Sequence, residues 1–303
     1  MDNFHTPILL HEIIDYLQVK TGKKYIDATL GGGGCAREIL KLGGIVLGVD
    51  CDPEAIEYVK TGIRKTRSEI TTPAPRGQES GVWNNLTLAR GNFKDLSRIA
   101  DLNKFGEVSG IIFDLGVSTH QLLTLERGFS FSSDAPLDMR MDPMLSVTAA
   151  DLINGLGKGE LYELFSKLGE DHAAWAISQA VVRARTIKQI KTCRELADLV
   201  SGVKRGRKKT HPATQIFQAL RMAVNGELEN LRLALPQAVD LLEPQGQLLV
   251  ISFHSLEDRI VKTFFKAEKR LRILTKHPIR PSEQEIKDNP RSRAAKMRVA
   301  ERI

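Results

Sequence analysis

The segment Tyr25-Ile26-Asp27-Ala28-Thr29-Leu30-Gly31-Gly32-Gly33-Gly34 constrains this chain more than any other. An apolar run that reads as a strand opens directly onto four glycines, and glycines permit a tight turn and a close backbone approach. Ala36 to Leu42 follows with helical spacing, and Gly43-Gly44 stops it. Ile45-Val46-Leu47-Gly48-Val49-Asp50 is a second apolar strand that ends in an acid. Strand, glycine loop, helix and strand in that order begin a parallel βα sheet, with the free N–H groups of the first helix facing the loop.

The alternation continues along the chain. Pro53 to Lys65 reads as a helix with Asp52 as its N-cap, Leu86 to Ala89 as a third strand, and Gly110-Ile111-Ile112-Phe113-Asp114 as a fourth that also ends in an acid. Ahead of the glycine loop, Ile8, Leu9, Ile13, Ile14 and Leu17 fall at helical spacing after Pro7. Residues 71–81 are turn-formers with almost no apolar content and read as a surface loop. From about 134 to 217 no strand pattern appears, and Leu161 to Leu168 and Ala173 to Arg185 are the clearest helices. Strand character returns at Gln247-Leu248-Leu249-Val250-Ile251-Ser252-Phe253. The expected architecture is a doubly wound α/β domain made of 1–133 and 218–303, interrupted by an all-helical domain at 134–217.

With 303 residues, 42% of them hydrophobic, the chain can bury a sizeable core. It has no apolar run of membrane-spanning length and no signal-peptide pattern in Met1 to Leu10, so a cytoplasmic protein that spans no membrane is expected. Cys35, Cys51 and Cys193 form no CxxC pair, and the seven histidines show no metal-ligand spacing, so no metal site is expected. The formal net charge of +7 suits a polyanionic partner.

Two cofactors compete for the glycine loop. Gly31, Gly33 and Ala36 formally match a dinucleotide fingerprint, which would make the chain an NAD-dependent oxidoreductase. Asp27 points the other way. A carboxylate inside the strand just ahead of the glycines suits the ammonium of a methionine moiety and would repel a pyrophosphate, which favours S-adenosyl-L-methionine. Asp50 ends the second strand where an acid can accept the hydroxyls of a ribose, a feature common to both cofactors.

Longer motifs narrow the choice. The fourth strand runs into Asp114-Leu115-Gly116-Val117-Ser118-Thr119-His120-Gln121-Leu122, then Arg127-Gly128-Phe129-Ser130-Phe131 and Pro136-Leu137-Asp138-Met139-Arg140-Met141-Asp142. With His211-Pro212-Ala213-Thr214, Ser252-Phe253-His254-Ser255-Leu256-Glu257-Asp258-Arg259 and Asn289-Pro290-Arg291-Ser292-Arg293, the chain resembles the MraW/RsmH family of bacterial ribosomal RNA methyltransferases over nearly its whole length. The resemblance implies a Rossmann-like class I methyltransferase sheet with an inserted helical substrate-recognition domain. It implies methylation of the exocyclic N4 of a cytosine in 16S rRNA, acting within the small ribosomal subunit. It also carries donor contacts to Gly33, Gly34, Asp50, Phe93, Asp114 and Gln121, and to the backbone of Cys35. Cys35-Ala36 stands where the family usually has His-Ser, and Thr119 where it usually has Ser. An RNA-binding assembly protein with a vestigial donor site finds its one foothold at Cys35-Ala36.

Cytosine N4 is a poor nucleophile because its lone pair delocalises into the ring. A carboxylate that accepts an N4–H bond restores electron density and orients the nitrogen, and Asp114 is the expected residue for that catalytic role. His254 is a candidate for orienting the base or a phosphate, and Phe129 or Phe131 for stacking on an extruded base. The basic run Lys204-Arg205-Gly206-Arg207-Lys208-Lys209 and the Lys- and Arg-rich tail from Arg259 to Arg302 suit phosphate neutralisation.

Overall fold

The computed structural model describes residues 7–68, 82–131, 134–204 and 211–303. The surface loop at 71–81 and residues 205–209 of the basic run lie outside the described residues. The chain divides into two units, one made of 1–118 and 228–303 and the other of 119–227.

Helices α1 (Leu10–Leu17), α2 (Gly34–Lys41), α3 (Pro53–Ser68) and α4 (Leu96–Leu102) belong to the first part of the chain. The second unit carries α5 (Thr119–Leu123), α6 (Ala149–Gly155), α7 (Lys158–Lys167), α8 (Ala174–Ile187), α9 (Cys193–Val203) and α10 (Thr214–Asn225). The chain then continues through α11 (Glu227–Leu241), α12 (Ser255–Ala267) and α13 (Glu283–Asp288). None of the described helices is long and apolar enough to cross a membrane.

Among the described residues, the strands of the first unit are β1 (Lys24–Asp27), β2 (Ile45–Asp50), β3 (Leu86–Arg90), β4 (Val108–Asp114), β5 (Leu242–Ser252), β6 (Leu271–Ile273) and β7 (Lys296–Arg302). They form one sheet in the order β3-β2-β1-β4-β5-β7-β6. Strands β1 to β5 are mutually parallel, and β7 runs antiparallel to both β5 and β6. The central strands read as continuous apolar runs because both faces are covered. Ile26, Leu47, Val49, Ile111, Phe113 and Val250 pack on one face with Leu96, Leu235, Val261 and Phe265 from α4, α11 and α12. Their neighbours Tyr25, Val46, Ile112 and Ile251 pack on the other with Ile13, Ile39 and Val59 from α1, α2 and α3. The result is a three-layer α/β/α sandwich, the doubly wound class that the alternation of strands and helices implied.

Strands β6 and β7 were hidden by charge. β7 carries Lys296, Arg298, Glu301 and Arg302 among its seven residues, a composition that reads as solvated tail. Yet Met297 and Val299 are fully buried, and Arg298 is only 7% exposed because Asp258 of α12 takes its guanidinium at 2.6 Å.

The helical unit closes around residues from five helices, with Ile153, Leu161, Phe165, Ile177, Val181, Leu196, Val200, Ile216 and Leu220 each fully buried. Capping boxes start α6 at Thr148 and Asp151 and α9 at Thr192 and Glu195. Lys188 beside Glu195, helped by the Lys191 amide, holds that carboxyl down to about 2. The unit is wider at both ends than 134–217, and hydrogen bonds show why. Met139 lies at φ 64, unusual for a non-glycine residue, and is buried. Its N–H donates to the Arg127 carbonyl at 3.0 Å, and the Arg127 guanidinium donates to the Met141 carbonyl at 2.8 Å. The Asn225 amide donates to the Met139 carbonyl at 2.8 Å and accepts from the Met141 N–H at 2.7 Å. Residues before 134 and after 217 therefore hold the 137–142 motif in shape.

Candidate active site

The five parallel strands end at one edge of the sheet, and the register orders what they deliver there. Phe93 follows β3, Asp50 ends β2, the glycine loop follows β1, Asp114 ends β4, and Phe253 and His254 follow β5. The chain turns from building the sheet in one direction to building it in the other between β1 and β4, and open α/β sheets bind ligands in the crevice outside such a switch point.

The glycine loop is braced from two sides. The Leu30 N–H donates to the Val49 carbonyl at 2.9 Å, and the Gly31 N–H donates to the Asp50 carboxylate at 2.8 Å. Gly33 takes φ +73 and caps α2 without any side-chain hydrogen bond, and the backbone conformation favours glycine there. A Cβ at Gly34 would fall 2.1 Å from Cγ of Pro7, so this glycine seats the segment that leads into α1. The other oxygen of Asp50 accepts the Asp52 N–H at 2.9 Å, which fixes the plane of the carboxylate.

Asp27 is 2% exposed and accepts the Thr29 N–H at 3.3 Å. The Thr29 hydroxyl in turn accepts the Asp114 N–H at 2.6 Å, and the Leu115 N–H donates to the Ile251 carbonyl at 3.0 Å. The Asp114 peptide is thus tied to the strands on either side of it. Phe93 sits in a short 3₁₀ turn, half-buried, with its ring edge-to-face on Phe113 at 5.6 Å. Thr29 escaped the sequence reading because its part in the site is to hold Asp114, while Asp52, expected only as a helix cap, also fixes Asp50 through its N–H.

Cys35 lies in the first turn of α2. It is 6% exposed, and burial pushes its thiol well above the ordinary range, with the carboxylates of Asp27, Asp114 and Glu38 adding to the effect. It is a packed thiol beneath the loop and not a nucleophile. Cys193 is buried too, and desolvation pushes it up to about 12. In the native protein iodoacetamide is expected to label partly exposed Cys51 first, and Cys35 and Cys193 only on unfolding. Peptide mass mapping checks this, and labelling of Cys35 as fast as Cys51 would contradict it.

Gly33, Gly34, Cys35, Asp50, Phe93 and Asp114 all lie in the first unit, at or next to this edge. Gln121 belongs to the helical unit, in α5, where it is 5% exposed. His254 serves as the cap of α12. Its Nδ1 accepts the Glu257 N–H at 3.4 Å, its Nε2 lies 3.1 Å from a Glu257 oxygen, and the side chain is 9% exposed. Glu257 closes the box by accepting the His254 N–H at 3.3 Å, and it also accepts the Phe253 N–H at 2.9 Å. The His-x-x-Glu spacing is a capping-box pattern with an unusual first residue, which is the signal that would have found it. The stacking expectation also changes. Phe129 is 8% exposed and has no open face, while Phe131 already stacks on His211 at 4.3 Å. Of the basic run, Lys204 turns inward to pair with Asp171.

The donor set fits a sulfonium amino acid better than a dinucleotide. Carboxylates at the ends of β1, β2 and β4 flank the loop, where they would oppose a pyrophosphate and attract an ammonium or sulfonium. The antiparallel β7 between β5 and β6 also departs from the six-stranded dinucleotide order. Such a sheet, with such an edge, defines a Rossmann-like class I methyltransferase whose cofactor is S-adenosyl-L-methionine. Residues 2–303 match the model of the MraW methylase family. A ribosomal RNA small subunit methyltransferase H from Thermomicrobium roseum is 45% identical, covering 99% of this chain and 94% of that one. Proteins of the same name from Persephonella marina and Heliobacterium mobile are 43% and 39% identical, with coverage of 99% or more of both chains. The crystal structure of an rRNA methylase from Streptococcus thermophilus aligns over 97% of this chain and 96% of its own, at 12% identity and a TM-score of 0.43. The chain belongs to the MraW methylase family.

Proposed function

We propose that this protein transfers the methyl group of S-adenosyl-L-methionine to the exocyclic N4 of a cytosine in 16S rRNA, within the small ribosomal subunit. The observation that carries the chemistry is Asp114, which ends β4 beside the glycine loop with its peptide tied to both neighbouring strands. The substrate reading is supported by full-length relatives that carry the name of small-subunit rRNA methyltransferases.

Bound S-adenosyl-L-methionine supplies an already activated methyl group on a sulfonium. The protein's work is therefore placement and exclusion of water. Gly33, Gly34 and the Cys35 backbone would line the amino-acid end of the donor, with Asp27 as the counter-charge behind them. Asp50 would accept the ribose hydroxyls, and the ring of Phe93 would cover the adenine. Gln121 is the remaining donor-contact residue that the family resemblance assigns. Asp114 would accept a hydrogen bond from N4, hold the nitrogen in line and take its proton as the nitrogen acidifies. The helical unit would recognise the RNA around the cytosine.

The test is nucleoside mass spectrometry of small-subunit rRNA from cells lacking this protein, before and after incubation with the purified enzyme and donor. N4-methylcytidine is expected to be absent before and present after. Methylation at carbon 5 or at a ribose oxygen, or no new methylated nucleoside, would overturn the proposal.

A further inference from the structure

We infer that the solvent-facing ridge of α12 is a tracking surface for the phosphodiester backbone of the RNA substrate. The inference rests on the RNA reading above and identifies which of the chain's many cations meet the RNA.

Several cations of the basic tail are tied down within the fold. Arg270 pairs with Glu268 and Asp240, Arg272 with Glu301, and Arg298 with Asp258, while Arg302 donates to the carbonyls of Asp240 and Leu242. These cations join elements of the sheet to one another. Lys262 and Lys266 of α12 differ. This helix buries Glu257, Val261 and Phe265 against the sheet. On its opposite side Ser255, Arg259, Lys262 and Lys266 are all exposed, and spacings of four, three and four residues align them within roughly 60° of one another.

The acids of α12 itself face away from Lys262 and Lys266. Glu257 is turned inward to its cap, Asp258 pairs with Arg298, and Glu268 beyond the helix end pairs with Arg270. Among the described residues, neither Lys262 nor Lys266 forms an ion pair. Like charges four residues apart on a helix repel, so Lys262 and Lys266 cost stability that neither regains through an ion pair. The ridge spans about 10 Å from Arg259 to Lys266 and starts one residue after His254, at the edge that carries Asp114. A row of cations without an aromatic residue among them reads charge and not base identity. The fitting occupant is a regularly charged polyanion that passes the active edge, which is the RNA backbone.

The experiment compares the wild-type enzyme with the Lys262→Gln/Lys266→Gln double variant, using a 16S rRNA transcript over a range of KCl concentrations. Losing two phosphate contacts lowers the slope of log affinity against log salt by about 1.4, since each contact on a single strand contributes about 0.7. Donor affinity is expected to stay unchanged, and Tm to hold or rise slightly as the repulsion is relieved. An unaltered slope would overturn the inference, and so would a salt-independent loss with a lowered Tm, which marks a structural role. An unaltered slope with weaker binding to assembled small subunits would assign the ridge to an acidic protein instead. If the wild-type enzyme itself neither binds nor methylates the RNA, the RNA reading fails, a result distinct from failure of the ridge alone.

Discussion

Asp114→Asn is expected to lower methyl transfer by about 10²- to 10⁴-fold, the range over which a positioned acid–base group acts. The substitution keeps the shape of the side chain and removes its charge. It leaves untouched the backbone N–H that donates to Thr29 and the neighbouring Leu115 N–H that donates to Ile251, so the end of β4 is expected to keep its place. Donor titration divides the two roles open to the residue. If Asp114 mainly polarises N4, kcat falls while donor affinity holds. If it mainly contacts the donor, the donor Kd rises with the loss of rate. Normal turnover together with unchanged donor affinity would eliminate both roles. Rescue by Glu is not expected, because the longer side chain would place its oxygens away from a site fixed by two strands.

Asp171→Asn is expected to destabilise the helical unit by about 3–5 kcal/mol, the usual cost of stranding one member of a buried ion pair. The Asp171 side chain is 1% exposed and its partner Lys204 is 10% exposed. The Lys204 ammonium also donates to the Pro212 carbonyl at 2.8 Å, and Asp171 accepts the Ala173 N–H at 2.9 Å. The pair thereby links the start of α8 to the segment ahead of α10. With Asp171 neutralised, a charged Lys204 stays buried without its counter-charge. The double variant Asp171→Asn/Lys204→Met, which removes both charges, is expected to regain most of the loss. Thermal unfolding monitored with hydrogen exchange across 119–227 measures both effects. A loss below about 1 kcal/mol in the single variant would mean that the pair behaves like a surface one. The same geometry separates Lys204 from the rest of the basic run in which the sequence placed it.

The sequence revealed the parts of the fold that depend on local pattern. Five parallel strands, the glycine loop and the helices around them follow from apolar runs, glycines and caps, and these need no knowledge of distant residues. β7 was illegible because its charged residues are neutralised by partners far along the chain. Arg298 looks solvated until Asp258 stands next to it. The limits of the helical unit were hidden for a similar reason, since the hydrogen bonds of Asn225 to Met139 and Met141 span more than eighty residues. At the candidate site, Asp27, Asp50 and Asp114 could be chosen from their places at strand ends. His254 could not be assigned from residue type, because an imidazole that caps a helix and one that orients a substrate look alike until Glu257 is seen beneath it. Phe129 shows the same limit: its aromatic face was legible, its burial was not.

The most direct test of the central claim is transfer of a tritiated methyl group from S-adenosyl-L-methionine by the purified protein, with small ribosomal subunits from cells lacking it as acceptor. Label is expected in 16S rRNA at close to one methyl group per subunit, recovered as N4-methylcytidine, with little or none when Asp114→Asn replaces the wild-type enzyme. Donor binding without any transfer to rRNA, whether as subunits or as free RNA, would contradict it.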